Sequence, residues 1–286
     1  MKMGKLEVKS VSDGLFRLDG GAMFGIVPQT LWKKAIPPDG QNRILLGLNL
    51  LVIDSGDDLI VVDTGIGTKT GEGFNDRFGV QRDGDALDSL RSEGYAPEDV
   101  SQVILTHLHF DHSGGATRID DRGALVPAYP SAKYFVQRAE WEDARNPNEI
   151  TRGSYLEENF KPLFEAGQLE ILDGDVRLTG EVSVELTGGH TRGHQIVRVE
   201  SGGETMLHMG DLVPTSHHLP LPYIMGYDTF PLETLQLRRR IYRDAVDRTW
   251  MLFFEHDIHS KVSTLAEEEG KFVIDETKVH RFKKGE

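Results

Sequence analysis

The sequence predicts an α/β protein whose chemistry sits at the ends of its strands. Short apolar runs recur along the chain, and strands buried on both faces have that continuous composition. They alternate with segments of helical period, the clearest at 231–247. Several runs stop just short of a residue able to bind a metal: Leu105 before His107, Leu186 before His190, Met209 before Asp211, Phe254 before His256, and Val62 before Asp63. In α/β proteins, sites gather where loops leave the rigid sheet at such ends.

In chain order, residues 6–18 alternate loosely and read as one or two edge strands. Residues 20–42 form a Gly-rich, apolar loop running through Met23 and Trp32 to a turn at 37–40. That much apolar content needs a partner: a pocket to cover as wall or lid, a second subunit to contact in a homodimer, or the core itself. Residues 44–53 and 59–63 make a β-hairpin ended by Asp63-Thr64-Gly65. A helix over 85–93 stops at Gly94, a turn follows at 97–99, and 102–105 is a buried strand. Gly114-Gly115, after the His-rich stretch, is placed to open a helix.

Residues 132–136 read as a strand and 138–145 as a helix stopped by Asn146-Pro147. Ser154 with Glu157 resembles a capping box, ahead of a helix that carries Leu156, Phe160, Leu163 and Phe164 and is kinked or divided at Pro162. Strands follow at 182–186, 196–199 and 205–209, then a Pro-rich loop at 217–222. The 231–247 helix has Leu232, Leu235, Ile241 and Val246 on or near one face; 250–254 is a strand and 272–274 a last one. No linker or repeat divides the chain, so a single domain over 1–286 is expected.

The chain has no cysteine, which excludes disulfides, thiolate ligands and a cysteine nucleophile. A net charge of −14 argues against a nucleic-acid surface. The N-terminal residues lack the apolar region of a signal peptide, and no apolar run approaches the length of a membrane span. A cytoplasmic protein with a small-molecule substrate, and neither nucleic acid nor membrane as partner, is expected.

The densest chemistry lies in Thr106-His107-Leu108-His109-Phe110-Asp111-His112. A solvated His-rich loop is the alternative to a metal site there. Imidazole suits zinc and its neighbours, and carboxylate suits harder ions. His107 and His109 can converge on one ion, while Asp111 and His112 point elsewhere and can serve a second. Brought together, the strand ends supply His107, His109, Asp111, His112, His190, Asp211 and His256, an inventory for two ions sharing a bridge.

These residues resemble the metallo-β-lactamase superfamily. His107-x-His109-x-Asp111-His112 matches its signature. Gly189-His190-Thr191-Arg192-Gly193-His194, Gly210-Asp211, Glu255-His256-Asp257 and Asp63-Thr64-Gly65 resemble its other motifs, over about residues 44 to 260. The resemblance implies a four-layer αβ/βα sandwich, with two mixed sheets back to back and helices outside. It implies that His107, His109 and His190 hold one metal, and that Asp111, His112 and His256 hold another, with Asp211 bridging. Within the superfamily the chain is most similar to the N-acyl homoserine lactone lactonases and related organophosphate hydrolases, especially over Leu252-Phe253-Phe254-Glu255-His256-Asp257-Ile258. It departs from them at Arg192, where many members have Pro. It also departs at Pro214, where the lactonases have a catalytic Tyr; Tyr223 and Tyr227 are the candidates to replace it in space.

Such a centre implies a dinuclear hydrolase in which a metal-bridging hydroxide attacks a lactone, carboxylic ester or phosphotriester. The expected ions are two divalent metals, zinc first, with iron, manganese, cobalt or nickel as alternatives. Asp111 and Asp211 are the expected catalytic carboxylates, and Asp63 is expected to accept a hydrogen bond from a ligand imidazole or a loop amide, with a turn-capping role as the alternative. Competing readings are a mononuclear-iron persulfide oxidoreductase, a superfamily nuclease and a non-catalytic binding module. Among the remaining histidines, His194 is expected in a supporting role and His208 in the core. His217 and His218 are expected at the surface rather than lining the pocket, and His259 and His280 at the surface. Arg238-Arg239-Arg240 reads as a solvated helix face.

Overall fold

Strands buried on both faces organise the computed structural model, which describes residues 1–278 and Phe282; His280 lies outside them. Among the described residues, one seven-stranded sheet runs in the order Lys2–Met3, Leu6–Asp19, Arg43–Asp54, Leu59–Val62, Gln102–Ile104, Lys133–Gln137, Leu169–Leu172. The other runs Val176–Arg177, Val182–Leu186, Gln195–Ser201, Glu204–His208, Met251–Phe253, Val262–Glu268, Lys271–Ile274. Both are mixed. The first turns parallel from Leu59–Val62 onward, and the second holds one parallel pair, Glu204–His208 with Met251–Phe253.

Successive strand residues point to opposite faces, and here both faces are covered. Leu51, Ile53, Ile60, Val62 and Ile104 meet Val184, Val197, Met206, Met251 and Phe253 between the two sheets. Their alternates Leu50, Val52, Val61 and Val103 pack outward against Ala86, Leu90, Trp141 and Leu163. On the second sheet, Ile196, Leu207, Leu252 and Phe254 pack outward against Ile241, Tyr242 and Ala245 of the helix Pro231–Arg248. This is the expected αβ/βα sandwich. The continuous apolar runs follow from it, because no strand residue of the centre faces water.

The predicted hairpin, the helix Ala86–Ser92 capped by Asp85, and the helix Arg138–Arg145 form as expected. Other expectations are corrected. Gly114-Gly115 opens only a single turn of 3-10 helix, Gly114–Ala116, directly after the short helix Phe110–Ser113. A Cβ at these glycines would fall 2.2 Å from Ile66 O and 2.1 Å from Thr64 O, so they permit the helix to press on the neighbouring strand end. Ser154 caps nothing. Its carbonyl accepts from Phe110 N, and the helix is only Lys161–Glu165, which Pro162 opens rather than divides. The strand Val262–Glu268 carries no continuous apolar run, because its buried positions include Ser263 and Thr264.

The segment after the first long strand is helical in two short pieces, Gly20–Phe24 and Gln29–Trp32. Met23, Phe24, Val27 and Trp32 turn inward and cluster with Phe16, Leu46, Phe110 and Met225, while Ile26 stays 90% exposed.

Leu232 is 71% exposed, and the buried face of the long helix is Thr234, Arg238, Ile241, Tyr242 and Ala245. Three consecutive helical residues cannot share a face, so Arg239 and Arg240 are solvated while Arg238 is fully buried. Its guanidinium donates to Leu212 O, His218 O and Tyr223 O at 2.7–3.0 Å. Arg238 therefore ties down the loop between Asp211 and Tyr223. Arg238→Met should leave those carbonyls buried and unpaired and destabilise the fold by about 3 kcal/mol, measured by urea unfolding; a loss below about 0.5 kcal/mol, the range of ordinary surface substitutions, would contradict this role.

Candidate metal centre

The strand Gln102–Ile104 lies between two parallel neighbours, and its exit carries His107 and His109. The following turn of helix, Phe110–Ser113, adds Asp111 and His112. Ser113 Oγ donates to Leu108 O and His109 O at 3.0 Å, and Thr64 Oγ1 donates to His112 O at 2.8 Å, so the turn is held at both ends. His190, Asp211 and His256 arrive from the ends of Val182–Leu186, Glu204–His208 and Met251–Phe253 on the other sheet.

Every residue singled out in the sequence as a ligand meets at this seam. The ligand-capable atoms of His107, His109, His190 and Asp211 lie within 4.8 Å of one another, and so do those of Asp111, His112 and His256. Asp211 spans the two groups. Its Oδ2 is 3.2 Å from His190 Nε2, and its Oδ1 is 3.2 Å from His256 Nε2 and 3.5 Å from His112 Nε2. Asp111 Oδ2 stands 3.7 Å from His256 Nε2.

The donor set fits divalent cations. His107 Nε2 and Asp211 Oδ1 are buried without a hydrogen-bond partner. His112 Nε2 faces His256 Nε2 at 3.1 Å, and His190 Nε2 faces His109 Nδ1 at 3.1 Å. Ring nitrogens brought this close in pairs are an arrangement that a cation with several imidazole ligands would accommodate.

The far nitrogens are already engaged, which fixes each ring. His256 Nδ1 donates to Gly47 O at 2.8 Å, and His190 Nδ1 donates to Asp228 Oδ1 at 2.9 Å. His112 Nδ1 lies 3.1 Å from both Asp63 Oδ2 and Glu255 Oε2. Asp63 also accepts from Thr106 N and Thr106 Oγ1 at 2.7 Å, so it holds both an imidazole and a loop amide. Asp63, His112 and Glu255 could also hold an ion by proximity, but here the carboxylates bond the back of the His112 ring.

Burial and neighbouring imidazoles keep His107 and His109 neutral, far below the ordinary histidine value. Burial pushes His112 the same way, but Glu255, Asp211 and Asp111 outweigh it and draw it up. Burial would raise Asp63, yet its bond to His112 wins and holds it down to about 2, whereas burial and the Asp63 charge drive Glu255 well up.

Sequence reasoning passed over Asp228 and the role of Glu255. Asp228 lies in a loop far along the chain, where no spacing marks it; Glu255 stood inside a quoted motif without an assigned partner. His194 supports the centre: its Nε2 accepts from Asp211 N at 3.1 Å. His208 is buried in the core, as expected. His259 is exposed. His218, expected at the surface, is fully buried. It stacks on Phe24 at 4.5 Å between ring centroids, its Nε2 donates to Met23 O at 2.9 Å, and its Nδ1 lies 2.8 Å from Thr215 Oγ1. It anchors the Gly20–Phe24 helix to the loop after Asp211. At Pro214 the backbone does the work, its carbonyl accepting from His256 N at 2.9 Å. Arg192 pairs outward with Glu142 and Asp143.

The family model described as Metallo-beta-lactamase superfamily matches residues 45–256, and the chain belongs to that superfamily. An N-acyl homoserine lactonase from Bacillus sp is 30% identical over 176 residues, 60% of this chain and 62% of the relative. The match thus spans less than two thirds of that relative's length. An N-acyl homoserine lactonase from Bacillus cereus is 26% identical over 233 residues, 77% of this chain and 85% of the relative. Among solved structures, a probable metal-dependent hydrolase from Staphylococcus aureus superposes with a TM-score of 0.88 at 28% identity, covering 98% of this chain and 100% of that one.

Burial beside Arg238 holds His218 down to about 3. In the unfolded chain it titrates near 6.5. Between those values the unfolded state takes up a proton that the folded state refuses, so stability falls as pH drops, by about 1.4 kcal/mol per pH unit from this residue. Urea unfolding at pH 7.5 and 5.5 should show His218→Gln losing less stability between the two than the parent; parallel losses would contradict the assignment.

Proposed function

We propose that the chain is a dinuclear metal-dependent hydrolase acting on a lactone, carboxylic ester or phosphotriester. The observation that carries this reading is Asp211, one carboxylate whose two oxygens face separate groups of ligand atoms. Lactones come first among the substrates, because relatives 26% and 30% identical are named lactonases.

His107, His109 and His190 would hold one ion, Asp111, His112 and His256 the other, and Asp211 both. Zinc heads the candidates because imidazoles dominate the set. When bound, two divalent ions supply a hydroxide at neutral pH and polarise the oxygen of the scissile group. We assign Asp111 to orienting a proton at the centre, alongside its part in holding the ion. Tyr227 is the phenol we assign to the leaving oxygen. Tyr227 is 37% exposed; partial desolvation, then the charges of Asp111, Asp19 and Asp211, push it up to about 12, so it keeps its proton at working pH. Tyr223 instead packs its ring edge-on to Phe24, at 5.8 Å. The cluster of Phe16, Phe24 and Phe110 beside the ligands excludes water, Phe16 lying 5.3 Å from the His256 ring.

The test is a panel of lactones, aryl esters and phosphotriesters assayed with metal content measured on the same sample. Two ions per chain with hydrolysis is the expected result; a single iron with oxygen uptake would overturn it. His109→Ala should stay folded and lose hydrolysis. Tyr227→Phe should lower kcat by about 10²-fold with metal content unchanged, and an unaltered kcat would remove Tyr227 from the assignment.

A further inference from the structure

We infer that Glu140 is a positioning residue that sets the geometry of the ion site formed by His107, His109 and His190. The inference rests on the metal-hydrolase reading of that site. Glu140 lies in the first turn of the helix Arg138–Arg145 and is fully buried. A buried carboxylate is costly unless hydrogen bonds satisfy it. Its donors come from three separate segments: Oε1 accepts from Leu108 N and from Tyr155 Oη, each at 2.9 Å, and Oε2 accepts from Thr191 Oγ1 at 2.5 Å.

Each donor adjoins a ligand of the same ion. Leu108 lies between His107 and His109, and its amide is the hinge that sends the two rings toward one point. Thr191 follows His190. Tyr155 lies with its ring 4.9 Å from that of His109, and the two residues form a β-bridge. The His190 loop is pressed onto the same turn of helix: a Cβ at Gly193 would fall 2.1 Å from Glu140 N. One side chain thus joins the His107–His109 turn of the first sheet to the His190 loop of the second. Asp111, His112 and His256 make no contact with it among the hydrogen bonds and ion pairs of the described residues; His112 stands against Asp63 and Glu255, and His256 against Gly47 O.

A ligand oriented in this way loses metal affinity when its support is removed, by about 10- to 100-fold. The split between the two sites separates this role from a merely structural one, which would weaken both alike. Co²⁺ binding to the metal-free protein, followed by its absorption spectrum and by competition with a chelator, reads each site in turn. The His256→Ala background reports the His107/His109/His190 site, and the His109→Ala background reports the other. Glu140→Ala should weaken Co²⁺ about 10- to 100-fold in the first background and less than about threefold in the second. Glu140→Gln, which keeps an acceptor for Leu108 N, should recover most of the loss. Should Glu140→Ala fail to fold, Thr191→Val and Tyr155→Phe each remove one donor and should show the same one-sided effect. Equal weakening in both backgrounds, or none in either, overturns the inference. These affinities need no substrate, so a chain that binds Co²⁺ with this split yet hydrolyses nothing fails the proposed function alone.

Discussion

Burying a group of imidazoles and carboxylates at one seam is the constraint on which the rest of the structure depends. Asp211 touches both halves of that group, and neither half is complete within one sheet. His107, His109, Asp111 and His112 come from the first sheet, and His190, Asp211 and His256 from the second. The apolar interior between the sheets sets their separation, and the strand ends set the direction in which each loop leaves. A shift of one sheet against the other would therefore separate the ligands before it opened the core.

Holding such a group requires a second layer of polar partners, and the fold supplies different partners to the two halves. Asp63 and Glu255 both stand behind His112, 3.1 Å from its Nδ1. Asp228 steadies His190, Gly47 O steadies His256, and the backbone of Asp211 is held by His194. These contacts account for buried polar residues that an apolar core would otherwise exclude. Asn49, for example, donates to Glu255 O at 2.7 Å and Asp257 O at 2.8 Å, stitching the long strand Arg43–Asp54 to the His256 loop.

The candidate ligand groups and the segments beside them are built by different rules. The candidate ligands stand on strand ends backed by both sheets. The Gly20–Trp32 segment and the loop from Leu212 to Tyr227 are joined by the His218–Met23 bond and the Phe24–His218 stack. The rings of Trp32, Phe24 and His218 form a stacked series, with Phe24 at its centre.

The sequence alone marked most of the central strands and the candidate ligands, because both leave local marks. A strand covered on two faces is apolar at every position, and His107-x-His109-x-Asp111-His112 packs its chemistry into one turn. Segments whose burial is polar left no such mark, which is why Val262–Glu268 was missed and Arg238 was assigned to water. Tertiary structure decided the supporting roles of Asp228, Glu255, Glu140 and His218. Their partners stand between 15 and 195 residues away in sequence, except for His218 with Thr215. A hydrogen bond to a distant residue depends on where two elements cross, and neither composition nor periodicity encodes that crossing.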